Sequence, residues 1–147
     1  MNTAVAYTHS VSKIDKPLAR YFELGGRLLL GQLFLLSGLY KLSSYAATAA
    51  LMQSAGVPGS LLPLVIATEI GGGLAVILGW RTRIGALLLA GFTFIAGLLF
   101  HNNFADPTQQ QMFMKNITIV GGLLVLMAQG AGPLSLDALR ARRRASL

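Results

Sequence analysis

Residues 61–100 read LLPLVIATEIGGGLAVILGW, then RTR, then IGALLLAGFTFIAGLLF. A predominantly apolar run of about 20 residues is what a helix needs to cross a bilayer core of about 30 Å. Leu61 to Trp80 is one such run, polar only at Thr68 and Glu69, and Ile84 to Phe100 is another. Only Arg81, Thr82 and Arg83 stand between them, so the two helices must form an antiparallel hairpin. Trp80 falls where an interfacial aromatic belongs.

Moving outward, Leu24 to Leu42 is a third apolar run, with Arg27 and Lys41 near its opposite ends and Gln32 between them. Between this run and the hairpin, Tyr45, Ala49, Met52 and Gly56 recur at helical spacing, which predicts a short helix at the membrane interface. Gly56-Val57-Pro58-Gly59 then breaks the chain. Beyond Phe100 a polar loop holds His101, Asn102, Asn103, Asp106, Pro107 and three glutamines at 109–111. Ile117 to Ala128 is too short to cross alone, so the fourth helix must begin near Met112 and carry Lys115 and Asn116 in its first turns. Gly130, Gly132 and Pro133 end it.

The expected fold is therefore all-α: a polytopic four-helix transmembrane bundle with short loops, spans at about 24–42, 61–80, 84–100 and 112–128. Residues 1–23 form an N-terminal segment and 129–147 a basic tail. Composition agrees, with 54% apolar and 12% charged residues against about 25% charged in soluble domains. Residues 1–23 are too polar for a signal peptide, so the first span should remain as a helix.

Four spans place both termini and the 81–83 turn on one side. That side carries Lys13, Lys16, Arg20, Arg27, Arg81, Arg83, Arg140, Arg142, Arg143 and Arg144, while the other carries only Lys41 and Lys115. Cations mark the cytoplasm, so the expectation is a bacterial inner-membrane protein with both termini cytoplasmic and the loops near Tyr45 and His101 facing outward. The net charge of +7 comes without a continuous basic face interleaved with aromatics, which argues against nucleic acid as a partner. The arginine run reads as a topology signal facing anionic lipid.

Several chemistries fail on inventory. With no cysteine, the chain alone cannot run thiol exchange, ligate an iron–sulfur cluster or build a cysteine zinc site. A bis-histidine haem needs a second histidine beside His101, and His9 lies in the N-terminal segment at the opposite side. Gly71-Gly72-Gly73 follows no strand and is not a phosphate loop. Ala67, Gly71, Ala75 and Gly79 form a small-residue stripe suited to helix packing or to a homo-oligomer contact. Arg27 reads as a snorkelling anchor near the cytoplasmic end, with Glu23 one turn earlier available to neutralise it.

One group of polar residues shares a depth. Lys41 ends the first span, His101 ends the third, and Lys115 and Asn116 open the fourth, all toward the outer surface. Glu69 lies roughly 12 Å inward. A charged, unpaired carboxylate there costs several kcal/mol, so Glu69 must point into the bundle and meet a partner or stay protonated. The candidate binding cluster is Lys41, Glu69, His101, Lys115 and Asn116, with Glu69 and His101 as the proton-active candidates and no metal. Its structural reading is a set of stitches between helices.

Arg27 with Gly31, Phe34, Ser37-Gly38 and Lys41-Leu42 resembles the first span of the DoxX family of small bacterial membrane proteins. So do, in order, Gly56-Val57-Pro58, Glu69, Gly72-Gly73, Gly79, Thr82-Arg83, His101, Phe104, Lys115-Asn116, Gly121-Gly122-Leu123 and Pro133-Leu134-Ser135-Leu136-Asp137. The resemblance covers about residues 24–137. It implies a four-helix inner-membrane protein with oxidoreductase associations, relatives being described as a quinone-reducing thiosulfate oxidoreductase subunit and as a membrane part of an oxidative-stress complex. Two functions follow as expectations: a redox-linked subunit that binds a quinone head at the polar cluster and takes electrons from a partner protein, or a non-enzymatic scaffold or small-solute permeation protein.

Overall fold

The computed structural model describes residues 16–146; most of segment 1–23, with His9 and Lys13, lies outside the described residues. Four helices are long and apolar enough to cross a membrane: α1 (Lys16–Ser43), α3 (Leu62–Leu78), α4 (Thr82–Phe100) and α5 (Pro107–Gln129). Between the first two, α2 (Tyr45–Ser54) and a 3₁₀ turn (Gly59–Leu61) fill the stretch where the helical spacing of Tyr45, Ala49 and Met52 pointed to a short helix. A further helix, α6 (Leu136–Ala145), occupies the basic tail. One end of the bundle carries α2 and the α4–α5 loop and is called the loop face. The other carries the α3–α4 turn and α6 and is called the tail face.

Local chemistry sets the boundaries. Gly79 closes α3 in the left-handed region at φ 68°, where glycine has no Cβ penalty, and the Trp80 N–H donates back to Ala75 O at 2.9 Å. The α5 helix starts at Pro107, ahead of the expected Met112, because the Asp106 carboxylate accepts from the Thr108 N–H at 2.8 Å and Pro107 needs no donor in the first turn. Helix α6 starts on Ser135, whose hydroxyl accepts from the Ala138 N–H at 3.1 Å. Helix α1 likewise begins ahead of its apolar run, at Lys16.

α1 packs on α3 and α4 on α5, with α3 and α4 joining the two pairs. Small residues permit the closest approach: a Cβ on Gly73 would lie 2.9 Å from Gly31 O and 2.8 Å from Leu35 N. Lipid tails give no hydrophobic drive between helices, so such backbone contact is what dispersion needs. The small-residue stripe is divided in use. Gly71 has open space around it, whereas the Cβ of Ala75 lies 3.3 Å from where a Cβ on Gly85 would stand.

Phe34, Val76, Ala86, Leu89, Ala90 and Leu123 form the main buried cluster, and Met52, Leu62 and Ile66 a second one where α2 covers α3. The exterior is apolar, with Leu29 67% and Leu64 65% exposed, a surface suited to lipid rather than water.

Arg27 is not a snorkelling anchor. It is 2% exposed, and its guanidinium donates to Ala131 O and, at 2.7 Å, to Leu134 O. Glu23 lies against Gly132, where a Cβ would collide with its carboxylate. The residues after α5 therefore fold back onto α1, and carbonyls left free between α5 and α6 are what the buried cation binds.

Candidate functional site: a polar corner in an apolar cleft

A cleft of about 700 Å³ opens between the two helix pairs toward the loop face, within the ordinary range for small-molecule sites of roughly 300–1,000 Å³. Phe34, Leu33, Val65, Leu88, Phe92 and Leu99 supply much of its apolar wall, and Thr48, Leu51 and Met52 of α2 cover it from the loop face. Its polar groups are few: Ser37, Lys41, Thr48, Thr68, Glu69, Thr93, His101 and Asn116.

The centre of the polar corner is a triad across α1 and α3. Lys41 Nζ donates to Glu69 Oε1 at 2.8 Å and to Ser37 Oγ at 2.6 Å, and Ser37 Oγ donates to the same Glu69 oxygen at 3.0 Å. Ser37 and Lys41 are one helical turn apart, so both side chains leave the same face of α1. Gly38 lets that face approach α3: a Cβ there would stand 2.7 Å from Ile70 Cγ1 and 3.2 Å from Glu69 Cβ. The Glu69 side chain is 5% exposed and that of Lys41 24%. The other carboxylate oxygen, Glu69 Oε2, is buried and has no hydrogen-bond partner among the described residues. Buried carboxylate oxygens are rarely left so.

His101 follows the last residue of α4 and bonds forward to α5, its Nδ1 lying 2.8 Å from Gln109 Oε1. With a carbonyl oxygen opposite, Nδ1 carries the proton, and in the neutral ring Nε2 is the acceptor. Asn116 packs against α4, its Nδ2 3.2 Å from where a Cβ on Gly97 would be.

Of the five residues expected to cluster, Lys41 and Glu69 meet directly, His101 and Asn116 line the same cleft, and Lys115 does not. Lys115 is exposed, because α5 turns its neighbour Asn116 inward and a successive residue points about 100° away. Two polar partners were not among the expected residues. Ser37 was legible as the residue one turn before Lys41, and Gln109 as an amide in the first turn after the Asp106 cap.

Comparison with known proteins places these residues in a family. The family model described as DoxX matches residues 22–102. The inner membrane protein YqjF of Escherichia coli K12 is 50% identical over 113 residues, 77% of this chain and 87% of that protein. The inner membrane protein YphA of the same organism is 29% identical, covering 80% of this chain and 96% of its own length. A Surfeit locus protein 4 homolog of Drosophila melanogaster is 25% identical over 84% of this chain, but only 42% of that longer protein. No solved structure matches.

Proposed function

The chain belongs to the DoxX family and is a multi-pass inner-membrane protein, and we propose that its cleft receives the head of a membrane-soluble quinone, as the membrane subunit of a redox complex. The observation that carries this reading is Glu69, a buried carboxylate at the wall of an apolar cleft with one oxygen, Oε2, left without a partner among the described residues.

The polar corner offers both kinds of hydrogen bond. Lys41 has three protons on Nζ, of which Ser37 and Glu69 take two. The third is available to a carbonyl oxygen in the cleft, and Glu69 Oε2, which is shielded from solvent here, can accept a hydroxyl once the carboxylate turns toward the cleft. When bound, a quinone takes two electrons and two protons to become a quinol, whose hydroxyls donate where the carbonyls accepted. A site holding an ammonium donor and a carboxylate acceptor side by side suits both members of that pair. Lys41 carries the proton at the near end, Glu69 is the acceptor beside it, and His101 is a further proton-active side chain on the cleft wall. Electrons come from a partner protein with its own carrier, since this chain has no cysteine to ligate a cluster.

The cation asymmetry supports an orientation in which the tail face is cytoplasmic and the loop face, with the cleft mouth, is periplasmic. The second reading, a scaffold, rests on the same triad: Lys41 to Glu69 joins α1 to α3 whether or not anything binds.

A short-chain quinone analogue added to the detergent-solubilised protein should raise its melting temperature by a few degrees, since ligands of the folded state stabilise it by mass action. The shift should shrink in both Glu69→Gln and His101→Ala. No shift in the wild type at saturating analogue leaves the scaffold reading in place.

A further inference from the structure

A second concavity, of about 320 Å³, lies on the tail face between the α3–α4 turn and α6, bounded by Arg81, Asp137, Arg140 and Arg144. Its charge balance is unusual. The Asp137 carboxylate is already engaged by the N–H groups of Arg81 and Thr82 at 2.8 and 3.0 Å. Among the described residues the one salt bridge is Lys41–Glu69, so none of the three arginines is ion-paired there. Three arginines thus line one hollow against a single carboxylate that is already committed to two backbone N–H groups, which leaves the hollow with a net positive charge.

The depth of the hollow points to a ligand held at the membrane surface. Trp80 is partly exposed, and the Arg140 guanidinium lies 5.7 Å from its ring centre; such half-buried indoles mark the headgroup level. Leu136 and Leu139 are exposed in the first turns of α6 just ahead of Arg140, which sets apolar side chains beside the basic ones, as in helices that lie in the interface. Guanidinium forks match phosphate oxygens bidentately. From these positions we infer that the hollow binds the phosphate of an anionic phospholipid, its head among Arg81, Arg140 and Arg144 and its acyl chains toward the exposed leucines. Any phosphate shares the oxygen chemistry, but only a lipid also covers Leu136 and Leu139. The inference is independent of the quinone reading and of which side the tail face occupies.

The test uses the full-length protein in mild detergent, with phosphatidylglycerol, phosphatidylcholine of the same chains, and inorganic phosphate as separate additions. Phosphatidylglycerol should raise the melting temperature of the wild type well above the other two. That shift should fall by at least half in Arg140→Gln/Arg144→Gln and persist in Arg142→Gln/Arg143→Gln, which removes equal charge outside the hollow. Equal shifts in the two double variants would mean diffuse attraction and overturn the site. An equal shift with inorganic phosphate would assign a soluble anion instead. Native mass spectrometry of the wild type and the two double variants reads retained phosphatidylglycerol directly, so a variant with an altered baseline still decides; equal retention by both double variants overturns the proposal.

Discussion

Asp137 Oδ2 accepts the backbone N–H of Thr82 at 3.0 Å, so a residue of α6 caps the start of α4 from 55 positions away. The first N–H groups of a helix have no partner inside it, and Arg81, in the left-handed region at φ 46°, offers no side-chain acceptor. Asp137 supplies both oxygens, while its own N–H donates to Gly79 O at 2.9 Å. Replacing it by alanine should cost about 0.5–2 kcal/mol, as for other lost caps, read as a lower melting temperature.

The same carboxylate gives a pH dependence whose sign is fixed. Burial pushes the Asp137 carboxyl up, but the N–H groups of Thr82 and Arg81 and the nearby Arg140 outweigh it and hold it below its ordinary 3.8. A depressed carboxyl contributes its stability in full above the unfolded value and loses it as pH falls through the folded one. The melting-temperature gap between wild type and Asp137→Ala should therefore be constant above about pH 5 and narrow below 3.8. A gap unchanged down to pH 3 would contradict the cap.

The Lys41–Glu69 pair should behave asymmetrically. Lys41→Met leaves a carboxylate in a site where the side chain is 5% exposed, and removing one partner of a buried pair costs about 3–5 kcal/mol; Lys41 is itself partly exposed, so the lower end applies. Glu69→Gln keeps a carbonyl for Ser37 and Lys41 and should cost less. In the double variant no uncompensated charge is left, so its loss should fall short of the sum of the singles. Strict additivity in thermal unfolding would mean the two do not act as a pair.

Glycine substitutions along α3 should separate packing positions from lipid-facing ones. At Gly73 a new methyl meets backbone of α1 at under 3 Å, which cannot yield without parting the helices. Gly73→Ala should lower the melting temperature by several degrees. At Gly71 there is nothing within 4 Å, and alanine's better helix propensity of roughly 1 kcal/mol predicts an unchanged or raised value. A Gly71→Ala loss as large as that at Gly73 would place an oligomer contact on that face.

What the sequence revealed and what it hid divide along physical lines. The spans were legible because hydropathy over some twenty residues is local information, and Glu69 was legible as a bundle-facing residue because an uncompensated carboxylate at that depth is costly. Lys115 and Asn116 were not separable, since which of two neighbours faces inward depends on the rotation of α5, set by packing against α4. Arg27 was misread because a cation near a helix end usually snorkels, and the carbonyls that bind it lie 104 and 107 positions away. The α6 helix did leave a local trace in Ser135 with Asp137 following, an N-cap signature masked by the arginine run beyond it.

Arg27 offers the last test, because the tail it holds carries its own reporter. Its guanidinium spans the carbonyls of Ala131 and Leu134, a geometry that a two-pronged planar donor can meet and a single ammonium cannot. Each charge-assisted bond contributes about 1.5–3 kcal/mol, and about 1.4 kcal/mol is tenfold in an equilibrium. Losing one bond in Arg27→Lys should therefore raise the open population of the tail at least tenfold, and losing both in Arg27→Met should raise it further. Trypsin cuts after Arg140, Arg142, Arg143 and Arg144, residues held in α6, and cleavage of a closed helix follows the population of its open form. Tail cleavage should accelerate in the order wild type, Arg27→Lys, Arg27→Met, while Lys41→Met, which perturbs the loop face, leaves the tail rate near that of the wild type. Equal rates in wild type and Arg27→Met would mean that Asp137 and Ser135 alone seat α6, and that the buried guanidinium does not hold the tail.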